Sequence, residues 1–399
     1  MNKILSFILV LSCFFCNAEA QERTVVLGDE RSDVYLPLLE DHRVALFSNH
    51  SGIVGDRDTH IADFLISSGV DLKLLISPEH GFRGDADAGE KVNDGVDSRT
   101  GLPIISLYGS KKSLSDLELT QFDVLLVDIQ DVGLRYYTYY ITLMALMEDC
   151  VRADKSVVIL DRPNPNGFYV DGPVLVHGFE SGVGALPIPS VHGLTLGELA
   201  LMINGEGWIK GHCNLTVVPC LGYSHDSRYE LHVAPSPNLK SMRAVYLYAS
   251  TCFFEGTAIS LGRGTKHPFE IFGAPEFEGV SFDCGPAYNF TPRSMPGAST
   301  PPLLGKKCYG VSLIDKPLEE IWSEGVNLEY VIEAYRAYPL KDKFFRSRFF
   351  DLLMGTDKVR KMIVSGCSAS EIKATWQDDL QNFMSLREKY LLYPLGNVE

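Results

Sequence analysis

Positive charge is in short supply: 36 Lys and Arg stand against 51 Asp and Glu, a formal net charge of −15 over 399 residues. Binding to phosphate backbones needs clustered cations, so this balance speaks against a nucleic-acid partner. Cysteine is sparse as well. The lone CxxC, Cys13-Phe14-Phe15-Cys16, falls in a leader-like segment and is not a zinc or redox motif. The other seven cysteines, at 150, 213, 220, 252, 284, 308 and 367, show no metal-like pairing and read as buried apolar thiols, with Cys213 and Cys220 as an optional disulfide. No P-loop, HExxH or GxSxG motif occurs. Gly262-Arg263-Gly264 lacks the third glycine of a dinucleotide fingerprint and does not follow the opening strand of a βαβ unit, so no nucleotide cofactor is expected. His50, His60, His80, His177 and His192 are scattered without helical ligand spacing, and no metal is expected, although Asp128, Asp131 and Asp161 leave a carboxylate Mg or Ca site open. Repeats and low-complexity segments are missing.

What is present begins with an export signal. Lys3, the apolar stretch Ile4 to Leu11 and Ala18-Glu19-Ala20 form a charged start, an apolar core and a cleavage site, too short for a membrane span. Residues 1–20 are therefore expected to be removed from a periplasmic or secreted protein. Val10-Leu11-Ser12-Cys13 gives a competing reading as a lipobox, with a lipid anchor at Cys13. Asn214-Leu215-Thr216 fits a glycosylation sequon, a match that often arises by chance.

After the signal, apolar strands and helical patterns alternate. The spacing predicts strands at 43–48, 71–77, 102–107, 122–128 and 156–161, with helices at 59–69, 113–119 and 136–154. This order argues for an α/β, Rossmann-like, doubly wound parallel sheet over residues 21–250. Ile141, Leu143, Met144, Leu146, Met147 and Val151 mark the expected inward face of one helix. Thr195 with Glu198 reads as the capping box of another. Beyond residue 250, Gly- and Pro-rich segments and helical patterns at 317–323, 327–336, 356–364 and 370–390 predict a smaller C-terminal α+β domain, 251–399, bordering a cleft.

Polar clusters follow four of the strands: Ser48-Asn49-His50, Ser77-Pro78-Glu79-His80-Gly81-Phe82-Arg83-Gly84, Asp128-Ile129-Gln130-Asp131 and Asp161-Arg162-Pro163-Asn164-Pro165. Open α/β sheets bind ligands at the carboxyl ends of their strands, and buried polar groups are costly unless paired or used. The clusters thus point to one shared site, in an enzyme or a small-ligand binder. Glu79 suits a proton donor, since a partly buried Glu can hold its proton near neutral pH; as readily it pairs with Arg83 or caps a helix. Arg135-Tyr136-Tyr137-Thr138-Tyr139-Tyr140 supplies the aromatic faces and the guanidinium that an acidic sugar would need. The bland reading of that run is a capped helix with packed tyrosines. Asp161 with Arg162 is equally readable as an ion pair, and His192 as a structural histidine. Ser236, Asn238, Glu255 and Arg263 add polar groups further on.

Taken together, the motifs at 77–84, 128–139, 161–165, Pro235-Ser236-Pro237-Asn238, and Phe254-Glu255-Gly256-Thr257 with Gly262-Arg263-Gly264-Thr265 resemble the NamZ family of bacterial exo-acting β-N-acetylmuramidases, from about residue 40 to the C-terminus. The resemblance implies a Rossmann-like domain with a C-terminal extension and a cleft between them. It implies release of N-acetylmuramic acid from non-reducing ends of peptidoglycan fragments, with Glu79 as the leading catalytic carboxylate. On this reading Asp128 or Glu255 assists water or stabilises the transition state, or the substrate's 2-acetamido group acts as internal nucleophile. Asn49, His80, Arg83, Gln130, Asp131, Arg135, Tyr136, Tyr139, Asp161, Asn164, His192, Ser236, Asn238 and Arg263 are the candidate substrate contacts. A non-catalytic binder of cell-wall sugars and a metal-dependent hydrolase of muropeptide substituents are the alternatives.

Overall fold

The computed structural model describes residues 25–55, 58–78, 81–83, 94–107, 109 and 111–396. Its central sheet comprises β1 (Arg43–Ser48), β2 (Asp71–Ser77), β3 (Gly95–Val96), β4 (Pro103–Ser106), β5 (Val124–Asp128), β6 (Ser156–Leu160) and β7 (Asn214–Val218). The strand order is β3-β4-β2-β1-β5-β6-β7, parallel except for the short edge pair β3 with β4. From β1 the chain builds outward to β2 on one side and returns to lay β5 on the other. The crevice of such a sheet lies at this reversal, outside the strands' carboxyl ends.

Side-chain alternation explains why the sheet is covered on both faces. Val44, Leu46, Val124, Leu126, Val158 and Leu160 pack on one face with Tyr35, Leu39, Ile61 and Leu65, from the helices Ser32–Leu39 and Ile61–Ser67. Ala45, Phe47, Leu125, Val127, Val157 and Ile159 pack on the other, under the helices Tyr139–Arg152 and Leu196–Gly205. In β2 the alternation slips, so that Leu72 and Leu75 share a face, because the β1–β2 register shifts between Val44 and Ala45. On the helix Tyr139–Arg152 the buried stripe is Tyr139, Tyr140, Leu143, Leu146, Met147 and Cys150. Ile141, Met144 and Val151, expected inward, sit half-buried at its margins.

The helix Leu196–Gly205 starts as its sequence indicates. The Thr195 hydroxyl accepts from the Glu198 N–H, and the Glu198 carboxylate accepts from the Thr195 N–H.

A second sheet, antiparallel in the order β8-β10-β9, joins β8 (Ile271–Ala274), β9 (Ala287–Phe290) and β10 (Cys308–Ser312). Helices close the chain. The continuous helix expected over 370–390 is two, Ala369–Ala374 and Gln377–Arg387, broken where Trp376 turns into the core and donates to Asp171 Oδ1 at 3.1 Å. The core on the Tyr139–Arg152 side runs without interruption into these helices, through Tyr248, Phe253, Phe272, Tyr330, Phe350 and Trp376.

All seven described cysteines are free. The optional Cys213–Cys220 bridge is absent because β7 runs between the two residues. Five extended residues span roughly 16 Å, far beyond disulfide reach. Among the described residues no helix is long and apolar enough to cross a membrane.

Candidate active site

The polar clusters do meet at the carboxyl ends of the strands, but several of their side chains build the floor of the site rather than face a ligand. Asn49 Nδ2 donates to the Tyr139 hydroxyl at 2.8 Å, and Asn49 Oδ1 accepts from the Ser51 N–H and hydroxyl at 2.9 and 2.6 Å. Gln130 Nε2 donates to the carbonyls of Asp131 and Pro163, at 2.7 and 2.8 Å. Both amides thereby stitch the β1, β5 and β6 loops together. His60 sits beneath them, 2.8 Å from the Asn49 carbonyl; burial pushes its pKa down to about 4, so it is neutral.

The carboxylates divide by environment. Asp128, expected as a catalytic group, is fully buried, and Arg162 grips both its oxygens at 2.6 and 3.0 Å. The same guanidinium donates to Asp29 at 2.8 Å, forming a buried ion triad. Asp128 is thus committed to structure. Asp161 does not pair with Arg162, because neighbouring residues leaving a strand point to opposite sides. It accepts instead from the Thr195 hydroxyl, the Gly197 N–H and the Tyr393 hydroxyl, at 2.7, 2.9 and 2.6 Å. This makes it an anchor for a helix N-terminus, where negative charge is favoured. Asp131 differs from both. Its Oδ1 accepts from the Gly133 N–H at 2.7 Å, its buried Oδ2 has no partner among the described residues, and burial pushes its pKa up to about 7. Gly133 has φ 74, and a Cβ there would collide with the Asn164 side chain, so this turn requires glycine. The three aspartates face different partners. Among the described residues no group of three or more His, Cys, Asp or Glu is placed to hold a metal ion.

Arg135, expected to meet a substrate carboxylate, is fully buried. It donates to the carbonyls of Pro173, Ile188 and Leu353 at 2.6, 2.7 and 3.0 Å, so it ties remote segments together and its task is architectural. Arg83 is taken by Asp97, at 2.9 and 2.8 Å, and by Asp63, at 3.2 and 3.4 Å. Those bonds hold the Asp97 carboxyl well below its usual range. Asn164 closes a turn, accepting from the Asn166 N–H and donating to the Leu194 carbonyl. His192 is buried with its Nδ1 accepting from the Leu194 N–H, and burial pushes its pKa down to about 3. Glu79 and His80 lie outside the described residues.

Five of the expected contacts do converge. Tyr136, Tyr139, Ser236, Asn238 and Arg263 line a recess of about 70 Å³, with Tyr137, Tyr248 and Phe269. The tyrosines are set by carbonyls, Tyr136 donating to Ala249 and Tyr137 to Pro235, each at 2.7 Å. Asn238 donates to the Gly297 carbonyl at 2.7 Å. At the rim Arg263 Nε and Nη2 both donate to Glu255 Oε1, at 3.1 and 2.7 Å, and the two side chains remain 20% and 25% exposed. Larger hollows lie beside the starts of β2 and β7, lined by Glu40, Asp41, His42 and Asp71 in one case and by His212, Asn214 and Tyr390 in the other. Both face away from the crevice, so size does not locate the chemistry. Tyr248 and Phe269 carried no sequence signal, lying among ordinary apolar patterns. Asp29 was missed because its segment has no periodicity.

Comparison with known proteins matches this architecture. The family model described as exo-beta-N-acetylmuramidase NamZ, N-terminal, covers residues 44–243, and its C-terminal counterpart covers 246–393. A Bacillus subtilis (strain 168) protein named peptidoglycan beta-N-acetylmuramidase NamZ is 34% identical over 374 residues, 90% of this chain and 89% of that one. Two crystal structures of DUF1343 family proteins from Bacteroides fragilis share the fold. One has a TM-score of 0.85 at 51% identity, covering 93% of this chain and 99% of its own. The other has a TM-score of 0.79 at 29% identity, covering 92% and 99%.

Proposed function

The chain belongs to the NamZ family of exo-β-N-acetylmuramidases, and from that premise we propose that it releases N-acetylmuramic acid from the non-reducing ends of peptidoglycan fragments. The observation that carries the proposal is the recess at the carboxyl-end crevice, which at about 70 Å³ takes a substituent rather than a whole sugar ring and is lined by tyrosines, an asparagine, a serine and one arginine.

In the proposed reaction Glu79 protonates the glycosidic oxygen as the bond to the anomeric carbon breaks. Its assignment rests on its place in the sequence alone, two residues past the last residue of β2 and directly after Pro78. Of the two carboxylates expected in the second role, Asp128 is committed to Arg162, whereas Glu255 keeps its Oε2 uncommitted among the described residues. Either it draws a proton from the attacking water or the 2-acetamido group of the substrate attacks first. Carboxyl groups about 5 Å apart suit a direct nucleophile and a separation of roughly 6.5–9.5 Å leaves room for water. We propose further that residues 1–20 direct export.

The test is mass spectrometry of MurNAc-GlcNAc digests. Free N-acetylmuramic acid from the wild type, with Glu79→Gln reduced to below a few per cent, is expected. An intact disaccharide in both, with binding retained, would replace the enzyme by a cell-wall sugar binder. N-terminal sequencing of secreted material beginning at Gln21 would support export by cleavage, whereas a lipid-modified Cys13 would replace it.

A further inference from the structure

We propose that Arg263 reads the lactyl carboxylate of the substrate and so makes the site selective for muramic acid over an unsubstituted N-acetylglucosamine; this rests on the function proposed above. A guanidinium has five N–H donors. Arg263 gives Nε and one Nη2 donor to a single oxygen of Glu255, so the end-on edge, formed by Nη1 and the second Nη2 donor, makes no bond to any described residue. That edge belongs to a side chain lining the recess, and its paired donors match the two oxygens of a carboxylate.

The arginine is held in place from two directions. Glu255 fixes its inner edge, and Phe269 lies under its plane, 5.0 Å from guanidinium carbon to ring centroid. Phe269 itself has φ 68, a left-handed conformation that a bulky residue rarely adopts, and it is buried against Tyr248 with ring centroids 4.7 Å apart. Strain of this kind persists only where the surroundings enforce it, and it clusters at ligand sites.

The other candidate arginines are excluded by burial or by their partners. Arg135 is fully buried with its donors on carbonyls, Arg83 is spent on two aspartates, and Arg162 is buried between Asp29 and Asp128. Arg263 faces one carboxylate, bound through one oxygen. Tyr248 and Phe269 form the recess wall beside Arg263, so the neighbours of a lactyl methyl there would be apolar.

The experiment compares 4-nitrophenyl β-N-acetylmuramide with its lactyl carboxamide, a neutral near-isostere, on wild type, Arg263→Met and Arg263→Lys. Wild type is expected to favour the acid. Arg263→Met is expected to lose about 10- to 100-fold more in kcat/KM on the acid than on the amide, so that the preference for the acid disappears, while any loss common to both substrates reports the unpairing of Glu255. Arg263→Lys, which keeps the charge without the fork, should fall between and carries the test if the methionine variant fails to fold. Equal losses on both substrates, or a wild type blind to the difference, would overturn the assignment while leaving the glycosidase intact. If wild type cleaves neither compound, the proposed function falls. Calorimetry with free N-acetylmuramic acid and its lactyl amide then decides: a preference for the acid lost in Arg263→Met supports the reading, and no preference refutes it.

Discussion

At the scale of single residues, the site region is distinguished by acids and bases held away from their ordinary charge states. Burial raises Asp131 to about 7 and Asp161 to about 6, while it lowers His60 to about 4 and His192 to about 3. The signs oppose. A carboxyl whose folded pKa is raised keeps its proton in the folded state while the unfolded chain releases it, so stability falls as pH rises from about 4 towards 7. The two histidines act the other way, their contribution lost as pH falls from about 6.5 to their folded values. Asp131→Asn isolates one member, because the amide keeps an acceptor for the Gly133 N–H and has no charge to bury. The difference in Tm between variant and wild type is expected to be small near pH 4 and to grow by roughly 2 °C or more by pH 8. A constant difference across that range would mean that Asp131 is ionised at little cost.

At the scale of elements, the carboxyl end of β6 and the start of the helix Leu196–Gly205 form one unit. Thr195 caps the helix and donates to Asp161, so Thr195→Ala removes a cap and one of the three donors to a buried carboxylate. A loss of about 1–2 kcal/mol is expected in urea unfolding, and Thr195→Ser should recover most of it. This unit also shows how much the sequence discloses. Strands β1, β2, β5 and β6 were legible because each is a short apolar run flanked by polar turns, and the capping box because it is a local pattern. β7 was not, since its partly exposed residues Asn214–Val218 resemble a loop, and neither were β8, β9 and β10, which lie among glycines and prolines and are defined by pairing distant in sequence. Three of the strand-end clusters do come together at the carboxyl ends of the sheet, through Asn49, Gln130 and Arg162. What they left undetermined was direction: nothing local says that Arg162 reaches Asp128 and Asp29 whereas Asp161 reaches Tyr393. Residue type advertises chemistry, and long-range packing decides which groups remain free for it.

At the scale of the whole molecule, the two segments matched by separate family models share one interior. Tyr136 donates to the Ala249 carbonyl, Arg135 to that of Leu353, and Arg387 to that of Gly193, so buried polar groups in each segment are satisfied by the other. A fragment ending at residue 243 would expose Tyr136 and Tyr137, whose rings pack on Tyr248, Tyr136 also on Phe253. It is expected to aggregate or bind 8-anilinonaphthalene sulfonate strongly, and the intact protein to melt in one calorimetric transition. Two separated transitions, or a soluble and well-dispersed fragment, would contradict the shared core. The thiols offer an independent check: with five of the seven described cysteines buried and all free, alkylation should be slow in the native state and should give the same count after unfolding with or without reductant. Finally, the Tyr393 hydroxyl meets Asp161, and the Leu392 N–H meets Glu198, across 232 and 194 residues of sequence. During vectorial synthesis those carboxylates wait for residues 392 and 393 to emerge from the ribosome, so the nascent chain cannot settle the junction of β6 with the helix Leu196–Gly205 until that much later segment has been made.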